Sequence, residues 1–130
     1  GSLLGALQKF MPKAKLTCVD YSKRCITKGQ DAYPDIKFEV ADLIPYVHDM
    51  EPVDVIIINH TLEHFDQPSA IVNMLRTKCK WLAIGVPYRT NYDCPEHLVY
   101  FDATSFEQYP VLQIEVLRGT SIELIMEGEA

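Results

Sequence analysis

The sequence lacks several features that would place it in a class at once. No apolar run is long enough to cross a bilayer, and no secretory signal is present. No basic block offsets the formal net charge of −6, which argues against a nucleic-acid backbone as the main partner. The cysteines form no CxxC pair and are expected to be free thiols. These absences favour a cytoplasmic globular protein that binds neither membrane nor nucleic acid.

Motifs of two large enzyme classes are also missing. There is no G-x-S-x-G nucleophile elbow and no P-loop, so the sequence gives no support to a serine hydrolase or a P-loop nucleotide triphosphatase. No repeat or linker interrupts the 130 residues. The length therefore predicts one domain, residues 1–130, with room for a real core.

The most informative stretch that is present is Val53–Phe65, VDVIIINHTLEHF. Its short, continuous, β-branched run predicts a strand that is buried on both faces. Strands of this kind belong to parallel sheets covered by helices, and such sheets bind ligands at the carboxyl ends of their strands. The polar residues Asn59–His64 are therefore expected where an open α/β fold places its chemistry.

The remaining elements alternate between helix and strand and predict an α/β fold. We expect a Rossmann-like, mostly parallel sheet with helices on both faces, closed by an antiparallel hairpin of Val111–Leu117 and Ile122–Met126. Arg118–Ser121 would form its glycine-containing turn. A short helix is predicted at Asp102–Tyr109.

Two aspartates lie at the carboxyl ends of successive predicted strands. Asp20 ends the strand Leu16–Asp20, and Asp42 lies just after Ile36–Val40. In nucleotide-binding α/β folds, an acid in the first of these places accepts hydrogen bonds from the ribose hydroxyls. The pair fits a ligand lying across neighbouring strand ends, although each residue could also be an independent loop acid or helix cap.

The segment His60–His64 matches H-x-x-E-H, the inverted zincin signature, in which two histidines four residues apart on a helix hold zinc. Here the motif follows directly on a strand, and no third ligand stands out. Cys94, Glu96 and His97 have no supporting spacing. We therefore expect no metal, with His60 and His64 as polar residues that line a pocket or begin a helix.

The loop 88–101 is rich in aromatic and polar side chains and either shapes a substrate pocket or simply covers the fold. Its most prominent members are Tyr88, Arg89, Tyr92, His97 and Tyr100.

From Gly1 to about Phe106 the sequence resembles the class I S-adenosylmethionine-dependent methyltransferases, specifically the small-molecule type with a Leu-Glu-His motif after the fourth strand. LTCVDYS resembles the second strand, which implies that Asp20 binds the ribose of S-adenosylmethionine and that Tyr21 lies beside the adenine. VADL resembles the exit of the third strand, which implies adenine contacts by Asp42 and Leu43.

DVIIINHTLEHF is similar to the fourth-strand motif of the same family, which implies that Asn59 and His60 line the methionine end of the cofactor. WLAIGVPYR resembles the fifth strand. The family's first strand and most of its G-x-G-x-G loop have no counterpart, so the domain is expected to be N-terminally incomplete. Gly1 is either the last glycine of that loop or a remnant of cloning. Leu16–Asp20 and Val53–Asn59 would flank the missing strand.

The resemblance implies methyl transfer from S-adenosylmethionine to a small-molecule acceptor. Such transfer needs in-line placement of the nucleophile, and a base only where that nucleophile is protonated. His64 and His97 are the candidates for that base. The alternatives are a non-catalytic binding or scaffold domain with the same fold and an NAD-dependent Rossmann oxidoreductase.

Overall fold

A computed structural model describes residues 2–88 and 94–130. The chain divides into two compact units, Gly1–Asp49 and Met50–Ala130. Within the described ranges, no helix combines the length and the apolar character that crossing a membrane requires.

The first unit contains three helices and a two-stranded parallel sheet. Its elements are α1 (Leu3–Phe10), β1 (Thr17–Asp20), α2 (Lys23–Ala32), β2 (Lys37–Val40) and α3 (Leu43–Asp49). The buried apolar side chains of this unit are Ile26, Ile36 and Val47.

Serine side chains cap the N-termini of the first two helices. Ser2 accepts a hydrogen bond from the backbone N–H of Gly5, and Ser22 accepts one from that of Cys25. Each bond satisfies one of the N–H groups that a helix N-terminus leaves without an intrahelical partner. The cap at Ser22 fixes the path of the chain immediately after the end of β1.

The second unit is built on a four-stranded sheet in the order β3-β4-β6-β5. Its elements are β3 (Val53–Asn59), a 3₁₀ turn (Leu62–His64), α4 (Pro68–Arg76), β4 (Cys79–Pro87), β5 (Val111–Leu117) and β6 (Ser121–Glu127). β3 and β4 are parallel, whereas β6 is antiparallel to both β4 and β5. The predicted α/β class with a closing antiparallel hairpin is confirmed.

The hairpin turn shows why a glycine is needed between β5 and β6. Arg118 and Gly119 both have positive φ, 51° and 65°. The N–H of Thr120 donates to the carbonyl of Leu117 at 3.0 Å, which closes the turn. Two consecutive left-handed residues match the right-handed twist of the flanking strands, and glycine adopts this conformation without steric penalty.

The core of the second unit lies between α4 and one face of its sheet. Helix α4 contributes Ile71, Val72 and Leu75, and the sheet contributes buried side chains from its two inner strands and from β3. The fully or almost fully buried sheet residues are Ile58, Cys79, Leu82, Ile84, Val86, Ile122, Leu124 and Met126.

The prediction that β3 is buried on both faces is wrong. Val53, Val55 and Ile57 are 39–43% exposed, whereas Ile58 is only 6% exposed. Within this unit β3 is the edge strand of the sheet, paired with β4 alone. The continuous apolar run therefore conceals an alternation of burial that the sequence does not show.

The helix predicted at Asp102–Tyr109 was also wrong, because the structure has a series of turns there. Hydrogen bonds between residues three apart hold this segment, for example from the N–H of Ser105 to the carbonyl of Asp102 at 3.1 Å. Phe101 and Phe106 are buried and stack with ring centroids 5.5 Å apart. The aromatic pair anchors the segment without a continuous helix.

The strands that were expected to flank a missing strand lie in two different sheets. In the described part of the chain, β1 pairs only with β2 and β3 pairs only with β4. The two strands have therefore not closed directly onto each other.

Candidate functional site

Asp20 ends β1 and lies at the entry to α2. Its Oδ1 accepts a hydrogen bond from the N–H of Ser22 at 2.7 Å. No hydrogen bond to its Oδ2 is found among the described residues. Tyr21, next to it, is 80% exposed. The turn thus presents Oδ2 of Asp20 beside the solvent-exposed ring of Tyr21.

The neighbouring Cys18 supplies no nucleophile to this region. Burial and then the negative charge of Asp20 raise the pKa of the Cys18 thiol. Because the thiolate is the reactive form, a raised pKa keeps this side chain unreactive near neutral pH. All four cysteines of the chain carry free thiols.

Asp42 lies two residues beyond the end of β2, at the same edge of the small sheet as Asp20. The N–H of Ala41 donates to the carbonyl of Asp20 at 3.1 Å, which ties the two strand ends together. Asp42 is exposed, and its carbonyl accepts from the N–H of Tyr46 in the first turn of α3. Leu43 begins that helix and is half-buried. The first unit therefore carries two aspartates at adjacent strand ends.

In the second unit, Asn59 is the last residue of β3 and His60 begins the turn that follows. His60 has a positive φ of 48°, which is uncommon for a residue other than glycine. Its N–H donates to the carbonyl of Gly85 at 2.8 Å, so the backbone is held where the strand ends. The side chain of His60 is 49% exposed. Backbone conformation rather than burial sets its position.

Gly85 leaves room for two polar side chains at the end of the sheet. Asn59, Gly85 and Glu123 are partners across three adjacent strands. A Cβ added at Gly85 would collide with Oδ1 of Asn59 and would lie 2.6 Å from Oε2 of Glu123. Glu123 could not be assigned to this region from sequence alone, because only the register of β4 with β6 places it there.

We expect Gly85→Ala to push the ends of the Asn59 and Glu123 side chains aside. Because these ends are flexible, the free energy of unfolding should fall by less than the about 1–3 kcal/mol that overpacking costs in a core. Urea denaturation measures this loss. The matched test is Gly85→Ala in an Asn59→Ala background, where the closer of the two colliding side chains has been shortened. There the added methyl group should be less destabilising, and an equal loss in both backgrounds would contradict the proposed collision.

A buried carboxylate dominates the turn after β3. The Glu63 side chain is 2% exposed, and its Oε1 lies 3.8 Å from both Nδ1 of His60 and Nε2 of His64. These separations fit ion pairs and are too long for hydrogen bonds. Oε2 of Glu63 is buried without a hydrogen-bond partner within the described residues. The glutamate of the H-x-x-E-H motif is thus almost fully buried, as is Leu62 before it.

His97 joins this carboxylate from the later loop. The N–H of Leu98 donates to the carbonyl of Glu63 at 2.7 Å, and Nδ1 of His64 is 2.9 Å from the carbonyl of Glu96. The rings of His64 and His97 meet edge to face with centroids 5.1 Å apart. Nδ1 of His97 is buried and, like Oε2 of Glu63, has no partner in the part of the chain described. The structure therefore brings together both histidines that the sequence proposed as bases.

Other residues that the sequence proposed are placed differently. Gly1, Arg89 and Tyr92 lie outside the described residues. Cys94 is half-buried, and Tyr100 is 58% exposed. The sequence signal for His97 was only a histidine in a loop, and the sequence did not indicate the charged cluster in which it lies.

Comparison with protein-family models identifies the family. A family model described as a methyltransferase domain matches residues 1–84. No curated protein matches the chain.

Several solved structures share the fold. The plantazolicin methyltransferase BpumL, solved with a triazolic desmethylPZN analog and SAH, is 14% identical with a TM-score of 0.74, and the match covers 100% of this chain and 73% of that one. The PH0226 protein from Pyrococcus horikoshii OT3 is 13% identical with a TM-score of 0.71, covering 99% and 77%. The N-terminal domain of EvdMO1 with SAH bound is 10% identical with a TM-score of 0.67, covering 96% and 69%. At these identities the similarity shows the fold.

Proposed function

We propose that the chain, which belongs to the methyltransferase domain family, transfers a methyl group from S-adenosylmethionine to a small-molecule acceptor. The observation that carries this proposal is the family match over residues 1–84, which includes β1, β2 and β3 with the polar residues at their ends. No feature of the described residues specifically favours an NAD-dependent oxidoreductase or a non-catalytic scaffold.

The residues of the first unit fit the nucleoside part of this cofactor. The free Oδ2 of Asp20 can accept hydrogen bonds from ribose hydroxyls, because Oδ1 already holds the N–H of Ser22. The exposed ring of Tyr21 suits stacking on an adenine. Asp42 and the backbone of Leu43 are assigned to the adenine edge, since their strand end adjoins that of Asp20.

In the second unit, Asn59 and His60 are assigned to the methionine end of the cofactor. The amide of Asn59 can both donate and accept, which suits an amino-acid head group. Its position over Gly85 keeps the side chain at the strand end. When bound, the cofactor supplies a methyl group on a positively charged sulfur.

His64 is the proposed proton acceptor for an acceptor hydroxyl. A carbonyl oxygen only accepts hydrogen bonds, so the contact with Glu96 requires the proton of neutral His64 to be on Nδ1. Nε2 then carries a free lone pair, and the nearby carboxylate of Glu63 would stabilise the imidazolium that forms. Nε2 of His64 would take up the proton that the acceptor hydroxyl loses when its oxygen is methylated. His97 is the second candidate for this role.

A small-molecule acceptor and a cytoplasmic setting complete the proposal. The net charge of −6 disfavours a nucleic-acid acceptor. The free thiols suit a reducing compartment. Two structural neighbours were solved with organic compounds bound, BpumL with a triazolic desmethylPZN analog and an O-methyltransferase family 2 protein with apigenin, and these support an organic acceptor.

The test is calorimetric titration of S-adenosylhomocysteine into the protein and its Asp20→Ala variant. Loss of a hydrogen bond to a charged group should remove about 1.5–3 kcal/mol of binding free energy. We therefore expect affinity to fall roughly 10- to 100-fold while the circular dichroism spectrum is unchanged.

The matched control is Asp31→Ala, which removes an exposed carboxylate from α2 in the same unit. It should bind S-adenosylhomocysteine as the parent does. Undiminished affinity in a folded Asp20→Ala protein would refute the ribose assignment. Binding of NAD in place of S-adenosylhomocysteine would refute the methyltransferase proposal itself.

A further inference from the structure

The carboxylate of Glu63 is buried without the partners that a buried charge requires. Its side chain is only 2% exposed, and Oε2 has no hydrogen bond among the described residues. Oε1 lies 3.8 Å from an imidazole nitrogen of His60 and from one of His64. Burial of an ionised carboxylate is costly unless a positive group or hydrogen-bond donors compensate it. A cation at this position would supply that compensation.

The neighbouring His64 presents a second electron-pair donor to the same point. Its Nδ1 donates to the carbonyl of Glu96, which leaves Nε2 unprotonated in the neutral ring. Nε2, which carries this lone pair, lies 3.8 Å from Oε1 of Glu63. A histidine held by a backbone carbonyl through one nitrogen is the usual arrangement for coordination through the other.

His97 supplies the third donor. One ligating atom from each of Glu63, His64 and His97 can be chosen so that all three lie within 4.8 Å of one another. Ligands of zinc bind at about 2.0–2.2 Å, so a contraction on the order of 1 Å would bring all three onto one ion.

We propose that Glu63, His64 and His97 form a binding site for a divalent transition-metal ion such as Zn²⁺. Two imidazoles and one carboxylate suit zinc and its transition-metal neighbours better than calcium or magnesium, which prefer oxygen ligands. Three protein ligands leave a coordination position open to water or to a substrate atom.

This proposal replaces the expectation that the chain has no metal site. The sequence offered His60 and His64, which are four residues apart, and a helix was needed to bring them together. The structure instead pairs His64 with His97, 33 residues later, and does not need His60. The competing possibility is that a proton on His64 compensates Glu63 and that no metal binds.

The experiment is titration of chelator-treated protein with Zn²⁺ by calorimetry, without cofactor or acceptor, beside Co²⁺ titration followed by visible absorption. We expect saturation near one equivalent. His97→Gln and Glu63→Gln should each lower affinity by at least the roughly 10- to 100-fold that even outer-shell partners contribute. The Co²⁺ spectrum should lack thiolate charge-transfer bands, because no cysteine belongs to the site.

The matched control is His48→Gln, which removes an exposed histidine that also lies beside a carboxylate, that of Asp49 at 2.8 Å. Its affinity for Zn²⁺ should equal that of the parent. Absence of saturable binding, a thiolate spectrum, or binding that a folded His97→Gln protein retains in full would each overturn the proposal. His64→Gln provides a second ligand variant if His97→Gln does not fold.

The metal titration is independent of the S-adenosylhomocysteine titration, because it contains no cofactor. A failed titration therefore leaves the S-adenosylhomocysteine experiment unaffected, and the reverse also holds. A proton and a metal would compete for the same lone pair of His64. Catalytic measurements on His64 therefore require metal-free protein.

Discussion

His64→Gln is expected to lower kcat roughly 10²- to 10⁴-fold, the usual contribution of a positioned general base. The reason is that Nε2 of His64 carries the lone pair beside the buried carboxylate of Glu63, whereas glutamine has no basic nitrogen. The measurement is transfer of labelled methyl from S-adenosylmethionine in chelator-treated protein, with the best acceptor from a panel of small phenols and hydroxy acids. Affinity for S-adenosylhomocysteine should be unchanged.

Two further variants distinguish a base from a structural histidine. His48→Gln removes an exposed histidine of the first unit and should leave kcat unchanged. His97→Gln should reduce kcat less than His64→Gln if His64 is the principal base. An unchanged kcat in folded His64→Gln protein would exclude His64 as the base, and a larger loss in His97→Gln would transfer the role to that residue.

The fold could be predicted in large part because its signals are local. The caps at Ser2 and Ser22 and the glycine turn at Gly119 act within a few residues of where they stand. The alternation of helix and strand then restricts the topology to α/β. The prediction that β3 is buried on both faces was wrong, because an apolar run such as Val53–Ile58 cannot show that its strand lies at the edge of a sheet. The prediction of a helix at Asp102–Tyr109 was wrong for a related reason. The segment is anchored by the stacking of Phe101 on Phe106, which is a tertiary contact.

The residues of the candidate site also fall into those that the sequence could indicate and those that it could not. The sequence could indicate three ligand-binding candidates, Asp20, Asp42 and Asn59. Each lies at or just after the end of a recognisable strand, and strand ends are where such folds bind ligands. The meeting of Glu63 with His97 could not be proposed, since it depends on a loop that returns 33 residues after His64. No periodicity encodes a contact of that range.

Leu82→Ala is expected to lower the free energy of unfolding of the second unit by about 2–5 kcal/mol. Leu82 is fully buried in β4, an inner strand that pairs with β3 on one side and β6 on the other. Truncation removes apolar contacts and leaves a cavity, and the surrounding sheet can relax only in part. Because a domain of this kind has only about 5–15 kcal/mol of net stability, the loss is a large share of the total.

Urea denaturation followed by tryptophan fluorescence measures this effect directly. Trp81 is the only tryptophan of the chain and adjoins Leu82 in β4, so its emission reports the unfolding of this sheet. The matched control is Ile57→Ala, which deletes the same number of carbon atoms from the adjacent strand. Ile57 is 40% exposed and already partly hydrated, so its truncation should be clearly less destabilising. Equal losses in the two variants would show that the face of the sheet bearing Ile57 contributes as much to stability as the face packed on α4.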